Sequence, residues 1–556
     1  MTRRRAAAAL LLFALLSPHA LVTRARQTPP APTTPAPQPT PDAVERIKDE
    51  GLNRSEVMQT LEYLTDVIGP RLTGSPALRR ANAWTRDRLT AWGLSNAHLE
   101  PWGPFGRGWT LRRFSAEAVE PVAFPLLAYP RAWSPGLDAP LTADLVAVDA
   151  KDEQELQKYK GQLRGKIVLA GAERQLKPLF EPKATRLTDK QLLELADAPD
   201  PALLPPRRPR TPPTPEQAAA RRFEDRRTQF YYDEGVALLV FSSPAGDGGM
   251  LQFVQSASVP QPFDTPFEQR KGPWEKDAPR LIPQIALSND HYNRLARVLR
   301  QGEKVKLSVN LQVEFDDSDP MSYNTVAEIP GTDLKDEVVM LGAHLDSWHT
   351  ATGATDNGAG VAVMMEAVRI LKALNLRPRR TVRIALWSGE EQGLLGSRAY
   401  VNEHFGPLPT PAAAGATQPA ARFKPEHARL NVYFNADSGT GAIRGVYTQG
   451  NEGLRPFFRR WLMPFAQLKV GDTTYTATTV TAANTGGSDF LSFDAVGLNG
   501  IDFLQDELEY DTRTWHSNQD NYDRAVPEDL KQAAVVVAAF VYQAATMDGM
   551  LPRKSK

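Results

Sequence analysis

The segment GAHLDSWHTATGATDNGAG, residues 342–360, carries His344, Asp346 and Asp356 among several glycines. His344 and Asp346 close a predicted strand, and Asp356 opens the helix predicted after the loop. Each residue alone has an ordinary explanation, such as a packed histidine or a helix N-cap. A divalent metal site is the chemistry that would use all three, and it requires further ligands from elsewhere in the chain.

Further acids and a histidine follow the ends of other predicted strands. Glu390 and Glu391 close the strand TVRIALWSGEE, Asp437 closes LNVYFNAD, and His516 lies in the later loop YDTRTWHSNQD. In parallel α/β sheets, ligands collect at the carboxyl ends of the strands. We therefore predict that these side chains converge on one rim of the sheet.

The predicted donors are enough for two divalent ions that share one carboxylate. Asp356 is the natural bridge, because a carboxylate offers two oxygens. His344 and Asp437 complete one ion, and Glu391 and His516 complete the other. The chain has no cysteine, so any metal site uses nitrogen and oxygen donors. Zinc suits such donors in open catalytic sites, and we expect two Zn²⁺ per chain.

Neighbouring residues have predicted supporting roles. Asp346 is expected to contact a histidine ligand, without touching the metal, and so to fix the orientation of its ring. Glu390, beside Glu391, is expected to face the attacking water and act as general base. Nearby glycines permit the backbone turns that bring Asp356 to the metals: Gly353, Gly358 and Gly360.

A family resemblance rests on five separated motifs: HLDSW, GATDNGAG, LRPRRTVRIALWSGEEQG, NADSG and HSNQD. Together they resemble the M28 family of di-zinc exopeptidases, and within it the carboxypeptidase Q branch. The resemblance covers about residues 324–523 and, more loosely, the chain after the N-terminal segment. It implies the ligands and the base already assigned, with Glu390 as base and these ligands: His344, Asp356, Glu391, Asp437 and His516.

The resemblance adds two expectations. In this family the peptide bond after the bridging aspartate is often cis, which predicts a cis bond between Asp356 and Asn357. Some relatives place Tyr or His just before the last ligand, where it stabilises an oxyanion. This chain has Trp515 there, whose indole N–H donates but does not exchange a proton at neutral pH. Ser488, Asp489 and residues 510–513 are expected either to line the substrate pocket or to fold their own loop.

Alternating strands and helices after residue 323 predict a mostly parallel, mixed α/β sheet flanked by helices, the zinc exopeptidase fold. Residues 358–374 and 527–547 are predicted helices, and so are residues 76–94. Residues 121–317 read as an inserted small α/β module that resembles a protease-associated insert. Within it, the Pro/Arg-rich residues 201–227 are expected to be an exposed excursion with no compact core element.

The predicted organisation has five parts. A signal peptide spans 1–25, with a basic start and an apolar run too short to cross a bilayer. A Pro/Thr-rich linker spans 26–43. The peptidase domain comprises residues 44–120 and 318–550, and it is interrupted by the insert at 121–317. We therefore expect export to the periplasm or outside the cell, and no stable membrane span.

Composition limits the partners. Lys and Arg total 65, as do Asp and Glu, so the chain has no net charge and lacks the basic balance of a nucleic-acid binder. The predicted function is an exported zinc exopeptidase that acts on dipeptides or short peptides. Which terminus it recognises is left open, as is a homodimer. The alternatives are a non-catalytic receptor-like module and a single-zinc transferase resembling glutaminyl cyclase.

Overall fold

The computed structural model describes residues 41–204, 213–262, 264–266, 269–409 and 422–554. The predicted signal peptide lies outside these ranges, and so does the predicted linker except for residues 41–43. Those residues already belong to the first helix, which begins at Pro41.

The described residues contain 18 strands. In chain order these are β1 Ser95–Trp102, β2 Gly108–Glu120, β3 Phe124–Pro125, β4 Ala128–Pro130, β5 Leu141–Ala147, β6 Ile167–Leu169, β7 Leu238–Ser242, β8 Gln284–Leu287, β9 Lys306–Asp316, β10 Ser322–Ile329, β11 Leu334–His344, β12 Arg380–Trp387, β13 Leu430–Asn435, β14 Ile443–Tyr447, β15 Leu468–Val470, β16 Thr473–Tyr475, β17 Thr479–Thr481 and β18 Gly500–Gln505.

The same residues contain 13 α-helices. They are α1 Pro41–Asn53, α2 Val57–Glu62, α3 Pro76–Ala91, α4 Glu153–Leu156, α5 Asp189–Ala196, α6 Pro215–Glu234, α7 Asn289–Arg300, α8 Ala359–Ala373, α9 Leu395–His404, α10 Pro425–Arg429, α11 Arg455–Leu462, α12 Phe490–Asp494 and α13 Pro527–Thr546. None of the described helices is long and apolar enough to cross a bilayer.

One sheet positions the predicted site. It has eight strands in the order β1-β10-β12-β11-β13-β18-β14-β17. Its central neighbours β12, β11, β13 and β18 run parallel. Strands β1 and β10 pair antiparallel to their neighbours, and β14 is antiparallel to β18 but parallel to β17. The mixed, mostly parallel α/β fold predicted from the alternating pattern is therefore confirmed.

Two apolar helices build the core behind this sheet. The predicted helices at 358–374 and 527–547 are seen as α8 and α13, within one residue at each end. Nearly every side chain of both is buried, as expected for helices that are apolar on all sides. They pack against each other and against β11, so the strand that ends at His344 rests on a rigid layer.

A second eight-stranded sheet has the order β3-β2-β9-β5-β6-β7-β8-β4. Its strands β5 to β8 are parallel, and its apolar core is separate from that of the first sheet. It contains the strands of residues 121–317, where we predict an inserted module, together with β2 upstream. We call this part the second-sheet region; its protease-associated character stays a prediction.

The Pro/Arg-rich stretch at 201–227 leads into a long helix. Its described residues are exposed or half-buried, as expected, but those from Pro215 onward belong to helix α6, which runs for 20 residues. The last proline of the stretch occupies the first helical position, where its missing N–H costs nothing. Thr214 and Gln217 form a capping box at the start of the helix, and Gly235 ends it in the left-handed conformation.

Candidate metal centre

The predicted residues converge because their strands are neighbours. β11 lies between β12 and β13, and all three run in the same direction. His344 pairs with Trp387, and Gly342 pairs with Asn435, so the three strands end at one rim. The acids that follow β12 and β13 therefore emerge beside His344.

A first group of donors surrounds the imidazole of His344. Its Nε2 lies 3.2 Å from Oδ1 of Asp356 and 3.3 Å from Oδ1 of Asp437. Each of the three residues offers one ligand atom, and these three atoms lie within 4.8 Å of one another. His344 and Asp356 are buried and Asp437 is half-buried, so the group is shielded from bulk water.

A second group shares Asp356 with the first. Nε2 of His516 lies 3.1 Å from Oδ2 of Asp356 and 2.9 Å from Oε2 of Glu391. The two oxygens of Asp356 thus face different histidines. Five residues from separate parts of the chain form two nitrogen–oxygen groups with one carboxylate in common.

The peptide bond between Asp356 and Asn357 is cis, as expected. Asn357 then fixes the turn: its Nδ2 donates to the carbonyl oxygen of Ala436 at 2.8 Å, and its Oδ1 accepts from the N–H of Gly360 at 3.1 Å. These bonds link the start of α8 to the chain just before Asp437.

Asp520 supports Asp356 from the other side, a role that was not foreseen. Its carboxylate accepts the backbone N–H of Thr355 at 2.5 Å and that of Asp356 at 3.1 Å. Burial, and then the charge of Asp356, raise the pKa of Asp520 to about 7. The motif HSNQD places Asp520 four residues after His516, and this acid beside a predicted ligand was the available clue.

Arg71 holds the loop between β11 and Asp356. Its fully buried guanidinium donates to the carbonyl oxygens of Leu345 at 2.7 Å, Thr352 at 2.8 Å and Gly353 at 2.8 Å. Burial lowers its pKa to about 10, so it stays charged at neutral pH. Nothing in the sequence around Arg71 indicates this contact, which spans more than 270 positions.

Asp346 differs from its predicted role. Its backbone oxygen, rather than its carboxylate, lies 3.1 Å from Nδ1 of His344; carboxylate Oδ1 is 3.7 Å away. The carboxylate instead accepts the backbone N–H groups of Glu390 and Glu391, each at 3.3 Å, and the hydroxyl of Thr73 at 2.9 Å. Asp346 therefore fixes the turn that presents the two glutamates.

The carboxylate of Glu390 lies near the first group of donors but farther from His344 than those of Asp356 and Asp437. Its Oε2 is 4.0 Å from Nε2 of His344, and the side chain is only 10% exposed. Burial raises the pKa of Glu390 well above its usual value, and the nearby charges of Asp437 and Asp489 add to the rise while His344 opposes it. A carboxyl of this kind is suited to accept and release a proton.

The site carries more negative charge than its own histidines balance. Burial, and then the charge of Asp356, raise the pKa of Glu391 to about 7. Burial alone would lower the pKa of His516, yet Glu391 and Asp356 outweigh it and raise that pKa to about 10. Oε1 of Glu391 is buried with no hydrogen-bond partner among the described residues. A buried acidic group of this kind has the charge to hold cations.

The remaining predicted residues lie around the site in different ways. Ser488 and Asp489 are buried, and Ser488 accepts from Nδ2 of Asn435 at 3.0 Å, so both lie beneath the rim. The ring of Trp515 packs 4.7 Å from that of His516. A small cavity of about 10 Å³, enough for about one water molecule, adjoins the second group. Its lining includes Trp348, Asp356, Glu391, His516 and Asp520.

Comparisons with known proteins show the family to which the region around this site is similar. Residues 324–541 match the model of peptidase family M28. Carboxypeptidase Q of Mus musculus is 27% identical over 504 residues, which cover 90% of this chain and 87% of that protein. Leupeptin-inactivating enzyme 1 of Streptomyces exfoliatus is 30% identical over 203 residues, 34% of this chain and 45% of that one.

A solved structure shows the same fold. The peptidase M28 precursor of Shewanella amazonensis SB2B superposes with a TM-score of 0.59 at 24% identity, over 93% of this chain and 99% of that chain. Residues 324–541, which match the family model, contain all of the converging donors. Residues 324–541 thus form a peptidase M28 domain, and the chain is a metallopeptidase of the hydrolase class.

Proposed function

We propose that this chain is a zinc exopeptidase that hydrolyses dipeptides or short peptides with two zinc ions. His344 and Asp437 would hold one ion, Glu391 and His516 the other, and Asp356 would bridge them. The observation that carries this proposal is the shared carboxylate, whose two oxygens lie 3.2 and 3.1 Å from different histidines.

The residues present fit zinc on chemical grounds. Each group offers one imidazole nitrogen and carboxylate oxygens, the donors that zinc takes when thiolates are absent. The buried, unpartnered Oε1 of Glu391 and the raised pKa values of the surrounding carboxyls indicate a site built for added positive charge. Bound zinc would supply Lewis-acid polarisation of the scissile carbonyl and activation of water.

Glu390 is the proposed proton carrier. Its carboxylate stands at the edge of the first group, near enough to take the proton of an attacking water and to return it to the leaving amine. Asp346 keeps it there by accepting its backbone N–H. The proton returned by Glu390 lets the nitrogen leave as a neutral amine, a far better leaving group than an amide anion.

The charges of the site also act on Tyr510. Burial raises its pKa well above the usual value, and the charges of Asp356, Asp437 and Glu391 raise it further. The phenol therefore stays protonated at neutral pH.

Purified protein tests the proposal in two measurements. We expect about two zinc ions per chain by elemental analysis, where a glutaminyl-cyclase-like enzyme would hold one and a receptor-like module need hold none. We then expect hydrolysis of free dipeptides, with loss of activity when one terminus is blocked by acetylation or amidation. A protein with bound zinc and no activity on any free peptide would contradict the exopeptidase assignment.

Export is proposed on the basis of residues 1–25. Deletion of that segment should leave the protein in the cytoplasm of a producing bacterium, while the full chain should reach the periplasm or the medium. Cytoplasmic retention of the full chain would contradict the proposal.

A further inference from the structure

The loop that carries His516 is fixed by the second-sheet region. The backbone of Phe253 donates to the carbonyl oxygen of His516 at 2.8 Å, and Gln252 forms an isolated bridge with Ser517. The side chain of Gln252 donates to the carbonyl oxygen of Trp515 at 3.1 Å. An extended segment between β7 and β8 therefore lies along the loop on both sides of His516.

Gln255 of the same segment reaches the imidazole itself. Nε2 of its side-chain amide lies 3.0 Å from Nδ1 of His516, on the ring edge away from Asp356 and Glu391. The backbone of Gln255 is held in turn, because its carbonyl oxygen accepts from Ala132 at 3.0 Å. Ala132 follows β4, so the position of this amide is set by the second sheet.

The contact between Gln255 and His516 concerns the proton on Nδ1 of the imidazole. A histidine that binds a metal through Nε2 carries its proton on Nδ1, and that N–H needs an acceptor to fix the ring. The amide of Gln255 supplies this acceptor when its oxygen faces Nδ1. A half-turn of the amide, which exchanges its nitrogen and oxygen, gives that orientation. His344 has the equivalent partner in the backbone oxygen of Asp346, 3.1 Å from its Nδ1.

We infer that Gln255 is a positioning residue for the metal centre: its amide oxygen accepts the Nδ1–H of His516 and aims Nε2 at the second metal position. This rests on the proposed function, because it takes His516 as a ligand. It means that the two sheets share one site. His344 is oriented by its own sheet, and His516 by the other.

Zinc titration against a chromophoric chelator tests the inference. We expect Gln255→Leu, which keeps the bulk of the side chain and removes the acceptor, to weaken one of two zinc sites about 10- to 100-fold. Gln255→Glu keeps an acceptor in the same place and should hold zinc within about threefold of the wild type. Gln261→Leu is the matched control, since that amide bonds, within the described part of the chain, to the backbone of Lys271 and not to a predicted ligand.

An NMR measurement distinguishes loss of the hydrogen bond to His516 from a general disturbance of the fold. In zinc-loaded protein labelled with ¹⁵N-histidine, we expect a slowly exchanging Nδ1–H resonance that is present in the wild type and in Gln261→Leu and is lost in Gln255→Leu. Gln255→Asn serves if the Leu variant does not fold, because it keeps the amide and withdraws it by one carbon; it should also weaken one site.

The outcomes are distinct. Two unaltered zinc sites in Gln255→Leu or Gln255→Asn, or a Gln255→Glu protein as weak as the Leu variant, would overturn the inference while leaving the proposed function intact. A wild-type protein that binds no zinc would overturn the proposed function and the inference with it.

Discussion

Glu390 and Glu391 are sequence neighbours with different surroundings. Glu391 contacts Nε2 of His516 at 2.9 Å, whereas Glu390 stays 4.0 Å from Nε2 of His344. The turn held by Asp346 separates the two carboxylates, so one faces the second donor group and the other faces the approach to the first. Adjacent side chains can therefore serve as ligand and as base.

Replacing Glu390 by Gln should remove activity without removing metal. The amide keeps the size of the side chain but cannot accept a proton, so we expect kcat to fall about 10²- to 10⁴-fold. Zinc content, measured on the same sample, should match the wild type. Glu391→Gln is the control and should lose zinc; a Glu390→Gln protein with wild-type turnover would remove Glu390 as the base.

His404 predicts a pH dependence of stability away from the site. Its Nε2 lies 2.9 Å from Glu100 and its Nδ1 lies 3.2 Å from Glu426. Burial alone would lower the pKa of His404, but these two carboxylates outweigh burial and raise it above 6.5. The folded state therefore binds the proton more tightly than the unfolded state.

The stabilisation from His404 should be complete below its unfolded pKa and should disappear as the pH rises through the folded value. We expect His404→Gln to cost up to about 1 kcal/mol near pH 6, the scale of a partly exposed ion pair, and less near pH 9. Urea unfolding of both proteins at the two pH values gives the comparison. A cost that is equal at both would show that the charge of His404 does not contribute.

At the scale of elements, the loop from β11 to α8 depends on Arg71. Its three bonds to the carbonyl oxygens of this loop replace the bonds that strand or helix would provide. A lysine has one ammonium group and cannot reach several carbonyls in a fixed fork. The loop that ends at Asp356 is therefore shaped by one side chain from the N-terminal part of the chain.

Arg71→Lys should lower the free energy of unfolding by about 3 kcal/mol, because buried carbonyl groups lose charged partners. It should also weaken zinc binding, since Gly353 lies three residues before Asp356. Calorimetry with a zinc titration measures both effects.

Arg380→Lys is the matched control for this prediction. Arg380 is also buried and also donates to carbonyl oxygens, those of Ala544, Met547 and Gly549, but it lies at the opposite end of β12 from the site. It should lose similar stability and keep its zinc affinity. Equal zinc affinities in the two variants would contradict the role of Arg71 in the site.

At the scale of the whole molecule, Arg186 ties the second-sheet region to the first sheet. It donates to Asp506 at 2.9 Å and to Asp529 at 2.7 Å, and these acids are 1% and 0% exposed. Thr185 and Leu508 exchange two backbone bonds beside it. The chain that leads to Tyr510 and His516 is thus held near Arg186 as well as by residues 252–255.

Arg186→Met should cost about 3 kcal/mol, since it leaves buried carboxylates without one of their cations; Arg444 still pairs with Asp506. Arg112→Met is the control, because Arg112 and Glu314 form an ion pair more than half exposed, and it should change stability by less than about 0.5 kcal/mol. Thermal unfolding compares the two. A neutral Arg186→Met would mean that the two sheets are joined by other contacts.

The sequence by itself determined the local features of this protein. Period and polarity indicated α8, α13 and the parallel strands, because each reflects burial that is written along a few neighbouring residues. In parallel sheets, ligands gather at the carboxyl ends of the strands. This rule predicted from sequence alone that His344, Asp356, Asp437 and the two glutamates lie together. The family resemblance reached the same residues and added the cis bond after Asp356.

Tertiary structure alone decided the partners that stand behind those residues. Arg71, Asp520 and Gln255 belong to segments remote from the residues they support. Asp520 at least follows His516 closely in sequence, whereas no local pattern distinguishes Arg71 and Gln255 from other polar residues. Contacts of this kind depend on how sheets and loops pack, and packing is set by the whole core together rather than by any short stretch of sequence. Short sequence motifs thus identify the metal-binding residues, whereas the positions of their side chains are set by the folded molecule.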